Sequence, residues 1–454
     1  MKKIISFLFA ISMVLFLTFL TGTRDELIDR TAEEFLKTPM NSESETVYFF
    51  LLGFRSTVDR DPVNAGRQLA KLPRIQQTPA PAEQPGELRF TESVLSLCGK
   101  DQINDVICIL QNKARVEKIL ADNQTLLNRY AALLAHTQFA QPEGEAVQAT
   151  LPFVDIQRAK FALWAKAILL INDGHVSEGL DFLQKDTRFG RMLFAQSESL
   201  LPRMAALTML RRQYELLSQV VVQFPAIVKS YKDVFLQISA PLSAKELSFR
   251  RALGGELRAV EAALNQFEAQ QLPAQKDVKT AVAQATNWSL ENPFWRKTPL
   301  YRRNATINLQ AGLLEQWAAF SELPASQILK QKDAFTQSLK NEYQPRSFPT
   351  AAIYNRIGKQ LVANGFFDMG DYLLKAHDVD GLMRLVNLQV QIDAFDVPQD
   401  RVGPFLQTSE AQLTNPYTGE AMLWDAKART LSFPAQGDPE HGEIAVAFPE
   451  RRSP

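Results

Sequence analysis

Residues whose type and spacing could do chemistry are few in this chain. Four histidines occur, His136, His175, His377 and His441, each isolated from the others in sequence. His377-Asp378-Val379-Asp380 places two carboxylates beside an imidazole. An imidazole flanked by two acids could hold a metal or serve as a general base. The same residues also suit a helix start, with Asp378 capping and Asp380 meeting the positive end of the helix dipole. Asp173, Glu178 and Asp181 gather around a turn, where solvated carboxylates belong. Phosphate-cradling glycine loops, dinucleotide fingerprints, nucleophile elbows and His-Glu-x-x-His are missing. The linear sequence therefore assigns no catalytic residue, no metal and no cofactor. A site assembled in space can escape such a search.

Cys98 and Cys108 are the only cysteines, ten positions apart. In an oxidising compartment such a pair most simply closes a short loop as a disulfide. A zinc site would need further Cys or His at ligand spacing, and none is near. The bland alternative is two free buried thiols.

A more distinctive cluster is Phe294-Trp-Arg-Lys-Thr-Pro-Leu-Tyr-Arg-Arg303. It interleaves Phe294, Trp295 and Tyr301 with Arg296, Lys297, Arg302 and Arg303. Aromatic and basic residues together suit a loop at anionic headgroups, or a hot spot for a partner protein. The competing reading packs the aromatics into the core and leaves the cations solvated.

The elements that must position these residues read mostly as helices. Periodic apolar residues predict helices over 116–134, 155–171, 176–183, 253–267, 305–320, 351–362 and 379–394. Asn172-Asp-Gly174 separates two of them as a helical hairpin. Asp61-Pro62 is a helix start, and Ser243-Ala-Lys-Glu246 matches the capping box, expected to open the helix that carries Leu253 to Phe267. No repeat at a period near 34 accompanies the hairpin, so a regular solenoid is not expected. Past Asn415-Pro-Tyr-Thr-Gly419 the pattern changes to short extended runs at 421–424 and 430–433. These read as a β-hairpin, with a third strand at 443–448.

At the amino terminus Lys2 and Lys3 precede the uncharged run Ile4–Leu20, which gives about 25 Å of helix. The expectation is an uncleaved signal anchor over 1–24, crossing a bacterial inner membrane once with the bulk of the chain in the periplasm. A cleaved signal peptide is the rival, disfavoured by the poor cleavage site Thr18-Phe-Leu-Thr-Gly-Thr23. The expected division continues with a helical segment at 25–75, a Pro-rich loop at 76–87, a helical domain at 88–397 and a β tail at 398–454. The chain has 454 residues, 46% hydrophobic, with 50 Lys+Arg against 50 Asp+Glu. That even balance argues against a nucleic-acid binder, whose affinity rests on excess cations. Three Asn-x-Ser/Thr sequons, at Asn123, Asn287 and Asn304, read as chance.

Several stretches together resemble a poorly characterised family of proteobacterial envelope proteins with one amino-terminal membrane segment. They are Tyr48-Phe-Phe-Leu-Leu-Gly-Phe54 with Asp61-Pro62, the Cys98/Cys108 pair, Asn128-Arg-Tyr130, Leu300-Tyr-Arg-Arg-Asn-Ala-Thr306 and Asn415-Pro-Tyr-Thr-Gly-Glu-Ala-Met-Leu-Trp-Asp425. The last is also similar to Asp-Pro-Phe-x-Gly-x-Pro endings of periplasmic proteins, with Asn415 and Tyr417 in place of Asp and Phe. The resemblance implies a periplasm-facing helical protein and carries over no catalytic residue.

The sequence as a whole is read as a mainly α protein: irregular helical hairpins after a membrane helix, closed by a small β-hairpin. The expected role is a membrane-anchored adaptor that presents a helical surface to an envelope protein, with the inner membrane as a second partner and no nucleic acid. The alternatives are a hydrolase of lipid or peptidoglycan, and an immunity or chaperone protein for a secreted effector. Oligomeric state leaves no mark in the sequence.

Overall fold

A computed structural model describes residues 25–37, 42–71, 86–98, 105–142, 151–270, 301–343, 354–365, 368–437 and 442–448. Helices dominate, and a three-stranded antiparallel sheet lies near the C-terminus. The first helices are α1 (Arg30–Leu36), α2 (Ser42–Leu52), α3 (Pro62–Ala70), α4 (Val94–Cys98), α5 (Asp105–Gln111), α6 (Lys113–Asp122) and α7 (Gln124–Leu133). The middle of the chain forms α8 (Phe153–Asn172), α9 (Val176–Gln196), α10 (Leu200–Gln223), α11 (Pro225–Ser230), α12 (Lys232–Ile238), α13 (Ala244–Leu247) and α14 (Arg250–Gln270). After these come α15 (Arg303–Ser321), α16 (Ala325–Tyr343), α17 (Arg356–Asn364), α18 (Gly370–Ala394) and α19 (Val402–Gln407). The strands are β1 (Leu423–Asp425), β2 (Thr430–Pro434) and β3 (Glu443–Ala447).

The chain splits into two compact units. One comprises Met1–Thr38, Leu253–Ala319 and Lys332–Asp368; the other comprises Pro39–Ala252, Phe320–Gln331 and Met369–Pro454.

In the larger unit the hairpin of α8 and α9 forms as the apolar spacing requires. Its turn ends in Gly174 at φ 91°, the left-handed position that glycine tolerates without a Cβ penalty. Trp164 of α8 is buried, and its indole Nε1 donates to Asp186 of α9 at 2.6 Å. The same carboxylate accepts from Tyr130 Oη of α7 at 2.6 Å and pairs with Lys160 of α8. Lys160 also donates to Gln213 of α10 at 2.7 Å. Four helices thus meet at one buried ion pair whose polar atoms are satisfied. Such a network fixes helix register more than it adds net stability.

Two glycines let α2 and α3 approach closely. A Cβ on Gly66 would stand 1.9 Å from the Phe49 carbonyl oxygen, and one on Gly53 would stand 2.0 Å from that of Pro62. Asp61 caps α3 as its position before Pro62 predicts, accepting from Asn64 N at 2.8 Å. Arg129, from the Asn128-Arg-Tyr130 motif, is buried on α7. It donates to the carbonyls of Phe54, Ser56, Thr57 and Arg60, holding the loop between α2 and α3.

The sheet has the order β1-β2-β3, with Trp424 opposite Leu431 and Leu431 opposite Val446. Ile444 and Val446 face inward while Glu443, Ala445 and Ala447 face out, the two-residue alternation of a half-buried strand. Phe433 of β2 packs on Gly381 of α18, where a Cβ would stand 2.2 Å from the ring.

In the smaller unit Asp25 caps α15, accepting from Asn304 N at 2.8 Å and Ala305 N at 3.2 Å. Asn308 then holds Leu27 O at 2.8 Å and accepts from Asp29 N at 3.0 Å. Trp317 of α15 and Phe335 of α16 meet edge to face at 5.0 Å. Asn355 has φ 52° and accepts from Arg302 N at 2.9 Å, joining α17 to the start of α15.

Several expectations are corrected. The helix expected over 116–134 breaks at Asn123, whose buried side chain donates to Ile119 O and Glu92 O and accepts from Thr91 N. The capping box at Ser243–Glu246 closes only the one-turn α13; Ser248 is extended, and the amphipathic register belongs to α14. The helix expected from Val379 begins at Gly370, so His377, Asp378 and Asp380 lie within it rather than at its start.

The single-pass inner-membrane placement is corrected as well. No helix among the described residues is long and apolar enough to cross a membrane. The most apolar long helix, α8, carries Asp155, Arg158, Lys160 and Lys166, and its apolar face is buried within the protein. The signal anchor expected at 1–24 lies outside the described residues, and most of the Pro-rich stretch 76–87 does too.

Candidate functional site

A groove of about 910 Å³ lies in the larger unit, between α9 and the segment from α13 to the start of α14. Helix α9 supplies Arg188, Arg191, Met192 and Ala195, spaced i, i+3, i+4 and i+7 and so on one face. The opposite wall carries Ala244, Lys245, Glu246, Ser248, Arg250 and Arg251, with Glu322 beside them.

Much of this charge holds the groove in shape. Arg191 grips Glu246 through two parallel bonds, Nε to Oε1 at 2.7 Å and Nη2 to Oε2 at 2.8 Å. It also donates to the carbonyls of Ala240 and Pro241, and these bonds tie α9 to the chain around α13. Glu246 in turn accepts from Ser243 N at 2.8 Å in the capping box. Burial alone would push this carboxyl up, but the bonds from Arg191 and Ser243 bring it below its ordinary value. Arg250 pairs with Glu322 at 3.1 Å, and Ser248 Oγ donates to the same carboxylate at 2.9 Å. Arg251 pairs with the buried Glu198 at 2.8 Å.

Beneath the groove lies Arg203 of α10, which is 0% exposed. Its guanidinium is stacked between Phe194 and Phe249, 4.1 Å from each ring centroid. It donates to Phe194 O at 3.0 Å, Glu246 O at 2.6 Å and Leu247 O at 3.2 Å. These are carbonyls at the end of α9 and at the end of α13. Burial lowers its pKa to about 9, which still leaves it charged at neutral pH.

Five cations line the groove against two carboxylates. Arg191, Arg250 and Arg251 are each held by a carboxylate, whereas Arg188 and Lys245 are exposed and have no ion-pair partner among the described residues. The surface is therefore locally positive on a chain of zero net charge.

The candidates read from sequence fall elsewhere. Cys98 and Cys108 are joined, with S–S 2.08 Å, and tie α4 to α5. Phe294, Trp295, Arg296 and Lys297 lie outside the described residues. Tyr301 and Arg302 are buried, and Arg303 pairs with Glu261 at 2.8 Å while donating to Asn265. These three residues thus take up packed and paired positions at the head of α15.

His377, Asp378 and Asp380 do not converge on a cleft. Asp378 accepts from Tyr417 Oη at 2.6 Å, Gln436 N at 3.0 Å and Gly437 N at 2.8 Å. Asp380 accepts from Leu242 N at 2.7 Å and pairs with Arg384. Burial, with Arg384 adding to it, pulls the His377 imidazole down to about 4, so the ring is neutral. Among the described residues no three His, Cys, Asp or Glu side chains form a metal-ligating group. Asp173 pairs with Lys113 at 2.7 Å, and Asp181 with Lys185 at 2.6 Å, as solvated carboxylates do.

Sequence reasoning did not reach the groove. The signal present was the stripe Arg188, Arg191, Met192 and Ala195, whose two arginines make it read as a solvated helix face. Its opposite wall is about fifty residues away in sequence. Comparisons with protein-family models, with curated proteins and with solved structures found no match.

Proposed function

We propose that this chain is an adaptor that works by binding a partner protein, and that the groove between α9 and α13 is where the partner docks. One observation carries this reading. An extensive set of ion pairs and carbonyl bonds fixes the walls, while Arg188 and Lys245 are left facing solvent. A docking surface needs this division between preorganised support and uncommitted contact groups. The polar residues around His377 are spent on joining the β tail to α18, which is support for a helical platform and not for a reaction centre.

The test is site-specific photocrosslinking in cells from positions 188 and 245, with Asp181, an exposed position two turns before Arg188 on α9 and outside the groove lining, as control. A discrete protein adduct from 188 and 245 but not from 181 is expected. Absence of any adduct from the two groove positions refutes the adaptor reading.

A further inference from the structure

We infer that the groove recognises an acidic, extended peptide segment, so that the partner is defined by a run of Asp or Glu. This inference rests on the adaptor reading and adds the chemistry of what that reading binds.

Charge complementarity is the first argument. Each carboxylate lining the groove already serves a cation, Glu246 with Arg191 and Glu322 with Arg250. The two cations left over, Arg188 and Lys245, stand on opposite walls. An incoming anion spanning the groove therefore meets a cation on each side and no unpaired carboxylate. Charged groups arranged in this way set specificity and association rate more than raw affinity.

The lining also discriminates among anionic polymers. Its apolar residues are Met192, Ala195 and Ala244, and no aromatic ring is among the lining residues. Single-stranded nucleic acids gain much of their affinity from bases stacked on aromatic side chains, which this surface does not offer. A bilayer would need a projecting apolar face with basic residues at its rim, whereas these cations line a concavity. A peptide fits both features, laying aliphatic stems on Met192 and the alanines while its carboxylates reach Arg188 and Lys245. Methionine adapts its shape to varied side chains. Volume agrees, since about 910 Å³ exceeds what one small anion fills and lies within the range of sites that bury larger ligands.

The experiment is fluorescence anisotropy on the full chain with a short fluorescein-labelled peptide of alternating Glu and Ala. A Gln/Ala peptide of equal length, single-stranded DNA and anionic phosphatidylglycerol vesicles are the comparison probes. Binding of the Glu/Ala peptide alone, weakened by salt, is expected. The double variant Arg188→Glu with Lys245→Glu should bind it at least about tenfold more weakly and gain affinity for a Lys/Ala peptide. Both positions are exposed and unpaired, so folding should survive, and Arg188→Gln with Lys245→Gln gives a milder second variant. The inference is overturned if the Glu/Ala peptide fails to bind, if the variants bind it unchanged, or if DNA or vesicles bind as well as it does. A specific protein adduct from positions 188 and 245 together with no binding of the Glu/Ala peptide would sink the acidic segment and leave the adaptor standing. Peptide binding that is lost in the variants, with no adduct in cells, would support the acid-binding groove and sink the adaptor.

Discussion

The hydroxyl of Tyr417 lies 2.6 Å from Asp378 Oδ1, and this contact fastens the C-terminal tail to α18. Leu374 O is 2.9 Å from the same hydroxyl, whose single proton goes to the stronger acceptor, the carboxylate. Asn415, two residues earlier, accepts from Tyr417 N at 2.9 Å and so sets the turn that aims the ring. Gly437 donates to Asp378 Oδ2 from just past β2, so one buried carboxylate holds the tail at two places.

Tyr417→Phe removes the donor and keeps the ring, so the cost is that of one charge-assisted bond to a buried acceptor. A loss of about 1–3 kcal/mol in urea unfolding is expected. Asp378→Asn should cost at least as much, because an amide nitrogen would face the N–H of Gly437 or Gln436. An unchanged midpoint for both variants would show that the tail is held by packing alone.

How much of this was legible in the sequence depends on how local each signal is. The cap at Asp61, the capping box at Ser243 and the strand alternation at 443–447 are short-range patterns, and all three form. The start of α18 was hidden because that helix is buried nearly all round, so no apolar stripe marks it. His377 and Asp378 instead read as the start of a later helix, with Asp378 as its cap. The resemblance-bearing residues Arg129, Tyr130 and Tyr417 turn out to clamp carbonyls or carboxylates far away in the chain, partners that no linear pattern names. The compact units are also discontinuous, and composition cannot mark where a chain returns to a unit it left earlier.

His377 predicts a pH dependence. Its imidazole titrates near 6.5 when unfolded and at about 4 when folded, the shift coming from burial and then Arg384. Between those values the unfolded chain holds the extra proton, so stability rises with pH across the window and is lost as pH falls from 6.5 toward 4. Asp378 and Asp380 are shifted upward by burial and act in the opposite sense above 3.8. Comparing His377→Gln with the native chain cancels that contribution. Moving from pH 7 to pH 5 should cost the native chain about 2 kcal/mol more than the variant in urea unfolding. Equal losses would place the ring in contact with water.

Arg203 predicts a large and specific loss of stability. Among the described residues no carboxylate pairs with it; its partners there are two aromatic faces and three carbonyls. Arg203→Met keeps the bulk but leaves those buried carbonyls without donors, for a loss of about 3 kcal/mol. Arg203→Lys should fare little better, because one ammonium cannot stack flat between two rings while reaching both helix ends. Rescue by lysine to native stability would mean that charge alone matters here.

The disulfide between Cys98 and Cys108 closes a short loop and ties α4 to α5. Helix α5 is otherwise held to α10 by Asp105, which pairs with Arg212, and by Val106 N, which donates to Gln219 at 3.1 Å. Replacing both cysteines with serine leaves those bonds in place and removes only the covalent restraint on the unfolded chain. The expected loss is about 2–3 kcal/mol, the entropy of closing a loop of this size. Dithiothreitol should lower the urea midpoint of the native chain to that of the double serine variant and leave the variant unmoved. The native chain should also run faster on a non-reducing gel than after reduction. Thiol labelling of the folded chain without reductant or denaturant would show instead that the two sulfurs are not joined.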